Sequence, residues 1–338
     1  MHVVAAPDKF RGTATAAEVA AAIARAVERV GGTCSQIPMA DGGEGTLDAL
    51  GGPNRRTMVM GPLGDAVDAA WRLEGRTAVI EMARASGLAL VGGAAGNDPV
   101  AATTHGTGEL IATALDAGAT RIIVGVGGSA TTDGGLGAMR AIWQPARLRR
   151  TELVVACDVR TPFVDAADVF APQKGATPAQ VRLLRGRLER LAQLYLAEHH
   201  VDVTDQPGAG AAGGLAGGLA ALGADLVPGF ELVADELELA YHMEGADLVV
   251  TGEGFLDEQS FEGKVVGGVA SMAAAAGVPV LAVAGEVFDG CEQRMTTLSL
   301  VEAVGTEQAM TATVASVEQV LTRWLRGRGV RPNRGACP

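Results

Sequence analysis

Lysine is nearly absent from this chain: of 27 basic residues, 24 are Arg and three are Lys, at positions 9, 174 and 264. A surface that draws its cations from Arg keeps Lys for places where a compact ammonium is wanted, because the two side chains hydrate and hydrogen-bond differently. Basic residues are also outnumbered, 27 against 39 acidic, and the net charge of -12 repels polyanions, so no nucleic-acid partner is expected. The four cysteines (Cys34, Cys157, Cys291, Cys337) form no CxxC pair and the five histidines no HExxH, which favours free thiols in the reducing cytoplasm over zinc or disulfides. The Gly263-Lys264 pair is followed by Val265 and has no upstream Gly in register, which excludes a P-loop NTPase. Residues 2–6 read as a strand, so no secretory leader is expected.

Aromatics make up only 4% while hydrophobic residues reach 48%, so the interior is built from Ala, Val, Leu and Gly; 20% charged residues exclude a disordered chain. At about 150 residues per domain, 338 residues suggest two domains, each with its own core. Gln206–Ala224 is free of charge and imitates a membrane span, but it begins Gln-Pro-Gly and seven of its residues are Gly. Its apolar bulk is far below that of a Leu-rich span, so a buried Gly/Ala helix is expected and no membrane partner.

After strand 2–6, Thr15-Ala16-Ala17-Glu18 forms a capping box, and Val19, Ile23, Val27 and Val30 make a helical stripe that Gly31-Gly32 ends. A strand at about 34–39 leads into Asp41-Gly42-Gly43-Glu44-Gly45 and a further helix. Toward the other end, 247–251 reads as a strand, Gly252-Glu253-Gly254 as a turn, 264–276 as a helix, 278–284 and 298–304 as strands, and 307–325 as a helix. Five strands from the two chain ends suffice for a flavodoxin-like doubly wound domain, residues 1–55 plus 244–325, with an inserted α/β domain at 56–243. In the insert, 107–117 reads as a helix, and 121–126 and 153–157 as strands. The Gly/Pro-rich tail 326–338 is expected to be disordered.

Ligands of doubly wound sheets bind where strand order reverses, here between the first strand and the strand at 247–251. Asp8, Lys9 and Arg11 follow the first strand, Asp41 and Glu44 the second, and Glu253, Asp257 and Lys264 the late one. Carboxylates suited to Mg²⁺ thus stand among cations suited to phosphate or carboxylate, as phosphoryl transfer requires. In the insert, Gly127-Gly128-Ser129-Ala130-Thr131 follows strand 121–126; its small residues let backbone N–H groups approach an oxyanion, and Asp133 is placed to reach a metal. Two matches to dinucleotide patterns, from Gly125 and at Gly208–Gly213, lack the required context.

Pro7-Asp8-Lys9-Phe10, Met39-Ala40-Asp41-Gly42-Gly43-Glu44-Gly45-Thr46, Gly106-Thr107-Gly108-Glu109, Gly127-Gly128-Ser129-Ala130-Thr131, Ala156-Cys157-Asp158-Val159, Pro172-Gln173-Lys174-Gly175-Ala176, Pro207–Gly214 and Thr251-Gly252-Glu253-Gly254 follow one another in a specific order. In that order the chain, over roughly residues 3–325, resembles the bacterial glycerate kinases of the two-domain, non-P-loop type. The resemblance implies ATP- and Mg²⁺-dependent phosphorylation of D-glycerate, giving 2-phosphoglycerate in most members. For such a reaction we expect Gly127, Gly128, Ser129, Ala130, Thr131 and Lys174 to face the ATP phosphates, and a carboxylate such as Asp133 or Asp41 to share Mg²⁺ with the nucleotide. Asp257 is expected to orient the acceptor hydroxyl as base, Lys264 with Lys9 or Arg11 to hold the acceptor carboxylate, and Asp8, Glu44 and Glu253 to complete the substrate site.

Three departures stand out. Arg11 replaces a usual Lys, Phe255 stands where Arg usually follows Gly-Glu-Gly, and several dozen residues typical of the family are absent between Ile142 and Trp143. Two rival readings remain at this level: a kinase fold that binds a metabolite or partner without turnover, and a dinucleotide oxidoreductase. The oligomeric state is not legible.

Overall fold

The structure, a computed structural model, describes residues 1–10, 12–261, 264–288 and 290–327. Arg11, one of the expected substrate ligands, and residues 328–338, most of the tail expected to be disordered, lie outside them. The described strands are β1 (His2–Ala5), β2 (Thr33–Gln36), β3 (Arg55–Met60), β4 (Ala66–Glu74), β5 (Thr77–Glu81), β6 (Arg121–Gly125), β7 (Glu152–Ala156), β8 (Asp225–Val227), β9 (Leu248–Leu256), β10 (Val280–Val287) and β11 (Thr296–Ser299). Residues 1–40 with the chain from Phe230 form one compact unit, and Asp41–Gly229 form the second.

The first unit carries a parallel five-stranded sheet of order β11-β10-β9-β1-β2, with Val3 opposite both Cys34 and Leu248. Renumbered within the unit this is 2-1-3-4-5, the flavodoxin-like order, and the reversal falls between β1 and β9. The capping box at Thr15 and Glu18 closes as expected and opens helix Ala16–Glu28, whose Val19, Ile23 and Val27 pack with Val3, Ala5, Val250 and Leu281 in the core. The helix after β9 spans Val265–Ala276, starting from Lys264 and closed by Gly277 in the left-handed region. Two local expectations are corrected. Gly252-Glu253-Gly254 is no turn but the continuation of β9, because a missing Cβ at Gly252 lets Val283 O of β10 come within 2.0 Å of where one would stand. Residues 300–304 are a helix capped by Ser299, not strand.

The second unit has a six-stranded sheet, β3-β4-β5-β6-β7-β8, antiparallel through β5 and parallel from β5 to β8. Ile80, Ile122, Val124 and Val155 pack there with Leu110, Leu215 and Leu219. Helix Ala211–Ala221 is buried along its whole length, as the Gly/Ala composition suggested, and no described helix is long and apolar enough to cross a membrane. A second cluster, Phe163, Leu184, Leu188 and Tyr195, sits under the long helix Pro178–His199.

The unit boundaries fall at 40/41 and 229/230, earlier in the chain than the expected 55/56 and 243/244. Asp41–Gly45 packs with the second unit because Val126 N donates to Gly42 O, and Glu81 accepts from Gly45 N and Leu47 N. Residues 230–243 pack with the first unit because Phe230 fills the space a Cβ on Gly268 would take, and helix Leu239–Met243 lies against Val265–Ala276.

Candidate functional site

The expected residues gather in two groups, one in each unit. In the first unit they stand at the carboxyl ends of β1 and β9, where the sheet reverses. Asp8 N donates to Gly252 O at 2.8 Å, which ties the loop after β1 to β9. The Asp8 carboxylate accepts from Lys9 N at 2.7 Å and meets Lys9 Nζ at 3.6 Å. Beyond β9, Asp257 Oδ1 accepts from Ser260 N and from Ser260 Oγ, and Ser260 Oγ accepts from Asp257 N, a reciprocal turn that fixes the approach to Lys264. Glu253 is half-buried, and burial pushes its carboxyl up to about 7; Ser260 and Lys264 oppose the shift, while Asp8 and Asp257 add to it. Among the described residues its buried Oε1 has no hydrogen-bond partner.

In the second unit, loop 127–131 leaves the carboxyl end of β6. The backbones of Gly43 and Gly127 come close: a Cβ on Gly127 would stand 2.6 Å from Gly43 Cα, so position 127 has to be Gly for this approach. The loop is pinned on several sides. Lys174, only 3% exposed, donates from Nζ to Ser129 Oγ at 2.8 Å and to Thr131 O at 2.6 Å. Asn97 Nδ2 donates to Ala130 O and to Lys174 O, and Ala130 N donates to Ser86 O. Burial pushes the Lys174 ammonium down to about 7 against the pull of Asp133. Two of its three donors are spent inside the protein, so Lys174 first of all holds the loop in shape.

Asp133, expected to reach a metal, has its carboxylate engaged by the protein. Its Oδ2 accepts from Thr104 N at 2.8 Å, Thr104 Oγ1 at 2.9 Å and Gly137 N at 3.2 Å, and its Oδ1 from Gly135 N at 3.1 Å. Both oxygens are engaged inside the protein, and the carboxylate binds the start of helix Leu136–Ala141 to Thr104, the residue that opens helix His105–Asp116. No three His, Cys, Asp or Glu side chains come together as a metal cage among the described residues. Among the described residues the Asp41 carboxylate accepts one hydrogen bond, from Gly43 N at 3.2 Å. Glu44 is exposed in the same loop.

Three positioning residues escaped the sequence reading. Glu81, 2% exposed at the end of β5, accepts from Gly45 N and Leu47 N and pairs with Arg84, so it holds the Asp41–Gly45 loop. Tyr195 donates to Gly134 O, and Asn97 clamps the 129–131 backbone. Their signals were faint: a Glu ending an apolar strand, one of two tyrosines, and an Asn in a Gly/Ala stretch. The Gly208–Gly213 pattern, in contrast, faces the protein itself. Positions 208, 210 and 213 abut Cys157 Sγ, Pro162 O and Thr131 O, which leaves no cradle for a dinucleotide.

Phe255 is 50% exposed and Phe288 48%, and their rings lie 6.5 Å apart. Phe255 is therefore not tucked beneath the loop.

The fold and these loops define a doubly wound α/β enzyme, and comparison with known proteins identifies its class. The model of the glycerate kinase family matches residues 3–144 and 143–326. The two matches meet at residues 143–144, beside the junction where several dozen family residues were expected to be absent. Glycerate 2-kinase of Escherichia coli (strain K12) is 42% identical over 329 residues, covering 86% of each chain. Glycerate kinase of Halalkalibacterium halodurans is 43% identical over 330 residues, covering 86% of this chain and 87% of its own. A crystal structure described as a glycerate kinase 2 of Salmonella typhimurium LT2 superposes with a TM-score of 0.80 at 36% identity, covering 98% of this chain and all of the other. The chain belongs to the glycerate kinase family.

Proposed function

We propose that this enzyme transfers the γ-phosphoryl group of ATP to D-glycerate and forms 2-phosphoglycerate. The observation that carries the reading is the carboxylate and lysine group at the β1/β9 reversal, in a chain of this family. Asp8, Lys9 and Lys264 offer the charges that bind and orient a small hydroxy acid, Lys264 and Lys9 taking its carboxylate. In the second unit, the rigid loop 127–131 offers backbone N–H groups to phosphate oxygens, pre-shaped by Lys174 and Asn97. Kinase Mg²⁺ is usually held by one or two carboxylates plus the nucleotide's own phosphates, so a protein cage is not needed. Asp41, with a single hydrogen bond among the described residues, fits that role and would hold the ion; the ion would supply charge neutralisation on the phosphates. Cys34 and Cys157, whose thiols burial pushes up to about 11, suit a reducing cytoplasm, where we place the enzyme.

The test is ADP release by the purified protein with ATP and Mg²⁺ across a panel of short hydroxy acids, the product's phosphate position being read by NMR. D-glycerate should be the best acceptor and carry the phosphate on C2. A protein that binds glycerate without releasing ADP would leave the non-catalytic reading standing.

A related expectation concerns Phe255. With half its surface open, it leaves room for an Arg, which can clamp a carboxylate or phosphate through two hydrogen bonds. Phe255→Arg should raise kcat/KM for D-glycerate by about tenfold, the lower end of what a charge-assisted pair contributes. An unchanged or lower value in the folded variant would mean that the acceptor site has been rebuilt around the aromatic side chain.

A further inference from the structure

We propose that Glu253, not Asp257, takes the proton from the acceptor hydroxyl. The inference rests on the phosphoryl-transfer reading above and assigns the base within it. Asp257, the expected base, has Oδ1 engaged by Ser260 N at 3.0 Å and by Ser260 Oγ at 3.2 Å, bonds that shape the turn toward Lys264. Glu253 is differently placed. Its backbone is fixed in β9 opposite Ala284 of β10, and the bare Gly252 and Gly285 let the two strands close on either side of it. Its side chain reaches the reversal of the sheet, where Asp8, Asp257 and Lys264 surround it and Lys9 is held by Asp8. Its Oε1 is buried with no partner among the described residues, an arrangement that costs stability unless a ligand fills it.

The chemistry balances with the groups named. The acceptor O–H gives its proton to Glu253 Oε1 while the hydroxyl oxygen forms a bond to the γ-phosphorus. The bond from that phosphorus to the β,γ-bridging oxygen breaks, and ADP leaves with the electron pair; Glu253 then returns its proton to water. Burial first, then the facing carboxylates of Asp8 and Asp257, hold the Glu253 carboxyl at about 7, against a hydrogen bond from the Ser260 side chain and the charge of Lys264. A base that exchanges its proton near working pH is suited to this step. The ordinary carboxyl range, into which a fully solvated acid falls, would leave a much weaker base.

Glu253→Gln and Glu253→Asp would be compared with the wild type by steady-state kinetics from pH 5.5 to 9, with thermal melts at pH 5 and pH 8. For Glu253→Gln, kcat should fall by about 10²-fold or more while KM for D-glycerate changes little. The acid limb of the wild-type kcat profile, near pH 7, should vanish. Glu253→Asp should keep part of the rate and a shifted acid limb. The melts separate a base from a structural ion pair. The raised folded value means that the native protein binds more protons than the unfolded chain between the ordinary carboxyl range and about pH 7, so Glu253 costs stability as pH rises through that interval. Glu253→Gln should therefore melt higher than the wild type at pH 8 and no higher at pH 5. A kcat within tenfold of wild type, a persistent acid limb, or a lower melting temperature at pH 8 would overturn the assignment. A wild type that releases no ADP would remove the phosphoryl-transfer reading itself, and the base with it.

Discussion

Asp133→Ala is expected to destabilise the protein strongly whether or not any metal is present. The carboxylate accepts from Thr104 N, Gly135 N and Gly137 N as well as from the Thr104 hydroxyl, and all are part-buried. Alanine leaves three backbone donors with no acceptor where water has poor access, each costing about 1–3 kcal/mol. The sum is on the order of 3 kcal/mol or more, enough to lower the melting temperature by about 4 °C or more in a chain of this size. Melts in excess chelator are the measurement. Had Asp133 been a metal ligand, the chelated wild type and the variant would melt together, and the loss would show as a higher Mg²⁺ requirement. Asp133→Asn, which keeps one good acceptor, should fall between the two. Loop 127–131 lies two residues before Asp133, so the variant should also lose affinity for ATP.

The strand order of the first unit was legible because its evidence is local. The capping box at Thr15, the apolar run before Gly252 and the Gly277 stop each mark an element edge by its own chemistry. The antiparallel part of the second sheet was not placed. β3 begins with Arg55 and Arg56 and leaves most of its side chains exposed, so its pattern does not announce a buried strand. The site was legible as a set of loops, and less so as roles. An Asp in a Gly-rich loop looks the same in sequence whether its oxygens face a metal, as expected of Asp133, or cap a helix, as they do. The misplacement of Asp41 and Glu44 has a similar cause. They follow β2 in the chain, but what decides their unit is Glu81, distant in sequence and visible only once β5 is formed. Glu253 escaped its role for the opposite reason: glycines on both sides suggest a turn, and their use in letting β10 approach depends on a partner strand that sequence does not display.

Replacing Lys174 should abolish most turnover by loosening a loop. Lys174→Met keeps the length of the stem but leaves Thr131 O and Ser129 Oγ without their donor, and the buried carbonyl costs about 1–3 kcal/mol. Loop 127–131 would then no longer be pre-shaped for phosphate, and a fall in kcat/KM for ATP of 10²-fold or more is expected. Lys174→Arg should fare no better, since a planar, longer guanidinium does not fit a site where the ammonium is 3% exposed between two acceptors. The pH dependence gives an independent check. Burial lowers the folded value of Lys174 to about 7, so the unfolded chain binds more protons than the native one between pH 7 and the ordinary lysine range. Wild-type stability therefore gains from this residue as pH rises from 7 to 10, a gain that Lys174→Met lacks, and the gap between their melting temperatures should widen over that interval. A direct phosphate contact with no part in holding the loop predicts a different pattern: a raised KM for ATP and superimposable melts. That outcome would move Lys174 from beneath the loop to its surface in any account of the reaction, and an Arg variant at near-normal rate would show that no compact ammonium is required there.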